Sequence, residues 1–157
     1  MRTIDEVQEL SNGILGQCYT MMNRDGHLQP VVFRFYSDEE GDKVEPQTFT
    51  VEDEEDRELI PVFLKSLVEK EGTGHIMMAL TMVKAHKTEG KPLPANLEEA
   101  EDKMDVLMLF LYTKDAVYYR EVPYGKGPEG QFLFTDLGWK KVDDLKGRIS
   151  NPFNKDK

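Results

Sequence analysis

A single cysteine, Cys18, leaves the chain unable to close an intrachain disulfide, which fits a reducing compartment and sets the expectation of a cytoplasmic protein. Long apolar runs are missing too. Val106–Leu111 (VLMLFL) is among the longest and falls far short of the roughly 18 residues that a membrane span requires, so no membrane association is expected. The opening MRTIDEVQEL reaches acidic residues by its fifth position and has no apolar stretch, which is unlike a secretory signal. Basic residues are outnumbered, 20 Lys and Arg against 30 Asp and Glu, for a net charge of −10. Phosphate backbones are bound by Lys and Arg displacing counterions, so direct nucleic-acid binding is not expected. The G-x-S-x-G, P-loop, H-E-x-x-H and C-x-x-C patterns are all absent, as are internal repeats and low-complexity linkers.

What is present describes a folded domain. Apolar residues make up 39% of the 157 positions before the 12 glycines are added, and charged residues make up 32%, above the usual value of about 25%. A chain of this length buries enough surface to need no metal or disulfide. The expectation is a single α+β domain over residues 1–150, with residues 151–157 as a flexible C-terminal tail.

Thr3-Ile4-Asp5-Glu6 reads as a capping box opening a helix to about Met22, with Ile4, Val7, Leu10, Ile14, Cys18 and Met21 as its apolar stripe. Gly13 and Gly16 weaken that helix, which suggests close packing against it. Val31–Tyr36 and Thr48–Val51 read as a hairpin about an acidic turn, and Pro46 marks the second strand as an edge. Leu59, Ile60, Phe63, Leu64, Leu67 and Val68 form the stripe of a second helix, with Pro61 expected in its first turn and Gly72 closing it. A short acidic helix is expected over 96–104. Asp105–Lys114 with Ala116–Val122 make a second hairpin, and Phe132–Thr135 and Trp139–Val142 are shorter strands. The fold expected is an antiparallel or mixed β-sheet of about five to six strands, with the two main helices packed on one face.

The stretch GHIMMALTMVKAHK, residues 74–87, brackets an apolar run with His75 and His86. As a strand it is apolar on both faces, the mark of a central strand covered on two sides. Its histidines then lie roughly 36 Å apart and cannot serve one metal or one proton. Gly125–Gly130 matches G-x-G-x-x-G, but QFLFTD follows it and reads as a strand where a phosphate cradle needs a helix N-terminus; a hairpin loop is the better assignment. Cys18 sits on an apolar stripe and is expected to be inert.

The acids are concentrated. From Asp38 to Glu58 eleven carboxylates face only Lys43 and Arg57, a local charge of −9. Neither SDEEGDKVE nor VEDEEDRELI has the ligand spacing of a calcium loop, so no metal is expected, and no cofactor or catalytic residue is assigned. The candidate partner-binding residues are Asp38, Glu39, Glu40, Glu52, Asp53, Glu54, Glu55 and Asp56, joined by Tyr118 and Tyr119 from an aromatic group that includes Tyr124, Phe132 and Phe134. An acidic face steers encounter with a basic protein. The function expected is therefore a non-catalytic protein-interaction module with a protein partner, with homodimer formation through uncovered strand edges as a further expectation. The alternative is a small enzyme that gathers His75 or His86 with carboxylates such as Glu52 or Asp105.

Overall fold

The Thr3 hydroxyl accepts from the Glu6 N–H and the Glu6 carboxylate accepts from the Thr3 N–H, both at 3.1 Å, so the capping box forms and opens α1 (Ile4–Asp25). Gly26, in the left-handed conformation, ends the helix by returning its N–H to the Met22 carbonyl. The computed structural model describes residues 1–84, 104–142 and 151–153. After α1 come β1 (Val31–Asp38), β2 (Gly41–Thr48), α2 (Glu54–Val68), β3 (Thr73–Lys84), β4 (Met104–Tyr112), β5 (Val117–Lys126), β6 (Phe132–Phe134) and β7 (Trp139–Lys141).

The strands form one open antiparallel sheet in the order β2-β1-β3-β4-β5-β6, with β7 also paired to β5. The count among the described residues is seven rather than five to six, because two three-residue strands divide β5 between them, β6 against Tyr124–Lys126 and β7 against Tyr118–Arg120. The histidine-bracketed run supplies β3, which lies between β1 and β4 in the middle of the sheet.

The two helices lie on opposite faces, not on one. Met77 and Ala79 of β3 join Leu107, Leu109 and Leu111 of β4 in a core with Val7, Leu15, Cys18 and Met22 of α1. Ile76 and Met78 join Val106, Met108 and Phe110 in a second core with Leu64 and Leu67 of α2. Successive side chains of a strand point to opposite faces, so strands that are apolar at every position need a cover on each side. The result is an α+β domain of three layers.

Local corrections follow the same logic. The buried positions of α1 are Val7, Ser11, Leu15, Cys18 and Met22, one step round from the expected stripe, and Leu10 is exposed. Strand β2 occupies Gly41–Thr48, not 48–51; as an edge it is mostly exposed and carries too little apolar alternation to be seen in GDKVEPQT. Helix α2 starts at Glu54, which places Pro61 in the helix interior. Asn151, in the segment expected to be a loose tail, is buried and donates to the Thr113 carbonyl at 2.7 Å. The short acidic helix expected over 96–104, and His86, lie outside the described residues apart from Met104, which begins β4.

Candidate functional site

The acidic stretch is divided by the fold. Asp38, Glu39 and Glu40 make the exposed β1–β2 turn, while Glu52–Asp56 precede and open α2 beyond the far end of β2. Seven residue steps of strand separate Gly41 from Thr48, roughly 24 Å at the usual rise, so Asp38–Glu40 and Glu52–Asp56 form two groups, while Glu45 between them is paired with Arg34 and Lys70.

Several acids also have structural work. Asp53 is the N-cap of α2, its carboxylate accepting from the Asp56 N–H at 2.9 Å, and Asp56 in turn accepts from the Glu52 N–H at 3.0 Å. Asp38 accepts from the Glu40 N–H at 2.8 Å within the turn. Glu40 pairs with Lys43 and Glu54 with Arg57, all in solvent, where such pairs contribute little. The side chains of Glu39, Glu52 and Glu55 are exposed and serve none of these caps or pairs.

The tyrosines are not brought together. Tyr118 packs half-buried on the α1 side of the sheet and Tyr119 on the α2 side, as adjacent residues of one strand must. The other aromatics close a seam between α1 and the β5–β6 hairpin. Tyr19 stacks on Phe134 with centroids 4.1 Å apart, and Tyr124 meets Phe132 edge-on at 5.4 Å. These rings anchor a hairpin to a helix and present no tyrosine-rich outer face.

The densest polar constellation went unread in the sequence. Arg120, buried on β5, donates through Nε to Asp136 at 2.9 Å and through a second nitrogen to the other carboxylate oxygen. Its remaining terminal nitrogen donates to Ser11 Oγ and Asn12 Oδ1, each at 2.8 Å, and Trp139 Nε1 donates to the same Ser11 hydroxyl at 3.1 Å. The guanidinium bond holds the Asp136 carboxyl below the usual carboxylate range. One signal was legible: an arginine inside the strand VYYREV.

Over this network lies a shallow depression of about 260 Å³ bordered by Asp5, Glu9, Asn12, Arg120 and Trp139. Its arginine is already bonded to a carboxylate and its rim is acidic, so it does not attract an anion. It also brings no nucleophile beside a base. The constellation ties α1, β5 and the β6–β7 connection together.

The catalytic alternative is not assembled by the described residues. His75 is buried, its Nε2 2.7 Å from the Arg2 carbonyl oxygen, with no partner on Nδ1 among the described residues. Asp105 pairs with Val83, eight residues along β3 from His75, and Glu52 lies beyond the same distant end of the sheet. Among the described residues no three His, Cys, Asp or Glu side chains gather to hold a metal. The G-x-G-x-x-G match is the β5–β6 hairpin loop, with Gly127 and Gly130 bonding within the turn. Burial pushes the Cys18 thiol up to about 11.

Compared with protein-family models, with curated proteins and with solved structures, the chain matches none.

Proposed function

We propose that the protein is a non-catalytic interaction module that engages a basic protein partner through the acidic surface of residues 38–58. The observation that carries this reading is the exposure of the carboxylates at both ends of β2, Glu39 in the turn and Glu52 and Glu55 at the start of α2, in a stretch with a local charge of −9. Carboxylates on solvent-facing backbone keep their hydration until a partner arrives, and their field speeds encounter with a cation-rich surface. Among the described residues no helix is long and apolar enough to cross a membrane. We place the module in the cytoplasm on the strength of its lone cysteine.

The test is affinity capture from native lysate at about 0.1 M and 0.5 M salt, since exposed charge contacts weaken as the screening length shrinks. The control carries Glu39→Gln, Glu52→Gln and Glu55→Gln, leaving the Asp53 and Asp56 caps intact. A partner held by the native chain, and lost both at high salt and with the control, is the expected result. Retention that ignores the control overturns the reading.

A further inference from the structure

Helix α2 contains six consecutive apolar residues, Leu59-Ile60-Pro61-Val62-Phe63-Leu64. Six residues wrap about one and two-thirds helical turns, more than a sheet can cover from one side. Leu64 is buried, Ile60 and Phe63 are half-buried against the sheet, and Leu59 and Val62 are left 58% and 65% exposed. They stand three positions apart, the spacing that makes neighbours on a helix surface. Glu55 and Glu58 lie four residues before Leu59 and Val62 respectively, and both are exposed. One outward face thus carries an apolar centre and a carboxylate rim.

We infer that this face docks a basic amphipathic segment of the partner protein, with aliphatic side chains against Leu59 and Val62 and Lys or Arg against Glu55 and Glu58. The inference rests on the interaction-module reading and locates its contact. An apolar centre excludes water while charges at the rim set register and encounter rate. Charge selects the occupant. A second copy of this chain would bring Glu55 and Glu58 against their own kind, and an anionic lipid or nucleic-acid surface is repelled by the same groups.

The probe is a 14-residue Leu/Lys peptide of amphipathic helical pattern, compared with a Ser/Lys peptide of equal charge, titrated into isotopically labelled protein and followed by backbone amide shifts. Shifts centred on Glu55–Ser66 are expected, with the Leu/Lys peptide binding at least ten-fold more tightly. Leu59→Ser with Val62→Ser should weaken it about ten-fold, and Glu55→Gln with Glu58→Gln by a similar factor; all four positions are exposed, and retained amide dispersion checks the fold. If only the Glu→Gln pair weakens binding, the docking face is wrong while the acidic module stands. If neither pair does, both fall. Shifts at these residues that depend on protein concentration without peptide would make a second copy the occupant and overturn the inference.

Discussion

Arg120 and Asp136 share a two-pronged ion pair across sixteen residues of chain, and the same guanidinium reaches α1 at Ser11 and Asn12. The arginine is buried and its partner carboxylate about a third exposed. Water therefore screens part of the interaction, and its loss is worth less than that of a fully buried pair.

Asp136→Asn should lower stability by about 1–2 kcal/mol near neutral pH, the range of a charge-assisted bond in partial contact with water. Because the folded-state pKa of Asp136 is depressed, its contribution is fully present above the unfolded value of roughly 4 and disappears as pH falls through the folded value below it. Denaturant melts from pH 7 to 2 should show the native chain losing more stability than the variant below about pH 4. Parallel curves would mean that the pair contributes nothing. Arg120→Lys should be nearly as damaging, since an ammonium cannot reach Asp136 and Ser11 in one plane.

Glycines in this chain divide by what surrounds them. Gly72 has φ +83°, and a Cβ there would overlap the carbonyl oxygen of Ser37, whose own N–H donates to the Gly72 carbonyl at 3.1 Å. Backbone cannot step aside, so Gly72→Ala should cost at least about 2 kcal/mol. Gly13 and Gly16 meet nothing within 4 Å, which removes the close packing that their presence in α1 suggested. Gly13→Ala and Gly16→Ala should each stabilise by about 0.5–1 kcal/mol through helix propensity alone. Thermal melts of the three variants read the sign directly; destabilisation by the α1 alanines would reveal a tight neighbour on that face.

Cys18 is buried between α1 and the sheet, and its thiol is raised by desolvation to about 11. At pH 8 about one thiol in a thousand is ionised, and that fraction is shielded from reagent. Alkylation by iodoacetamide should therefore proceed only as fast as the protein opens, and should accelerate in the destabilised Gly72→Ala variant. Stoichiometric labelling of the native fold within minutes would show α1 to be loosely held.

The elements that sequence made legible are those whose pattern has one physical meaning. Thr3 and Glu6 satisfy each other's backbone, and the doubly apolar β3 and β4 fit only the middle of a sheet. Strand β2 was misplaced because an edge strand with two exposed sides has no pattern to enforce. The stripe of α1 was read one step off because Ser11 faces inward to meet Arg120, a partner 109 residues away. Long-range pairing also decided the acids. Their number is written in the chain, but only the length of β2 shows that Asp38–Glu40 and Glu52–Asp56 fall at its two ends. Tyr118 and Tyr119 required no structure at all, since neighbours in a strand cannot share a face.

Pro46 sits in the edge strand opposite Phe33. The Phe49 N–H bonds the Pro30 carbonyl at 3.0 Å, and antiparallel bonding alternates, so the β2 residues that donate to β1 are odd-numbered, Gln47 and Glu45 among them. The nitrogen of Pro46 therefore faces the free edge. It removes nothing from the β1–β2 ladder and deletes an outward donor between those of Val44 and Thr48, a device that discourages edge-to-edge pairing. Pro46→Val should leave folding stability within about 0.5 kcal/mol, because no native bond is gained or lost. It should also restore a row of alternate donors, and sedimentation velocity at rising concentration should show the variant associating where the native chain does not. Equal behaviour of the two would mean that side chains along β2, not the missing donor, keep the edge apart. A native dimer broken by charge at Val44 would reverse the assignment, making the edge an interface that tolerates its proline.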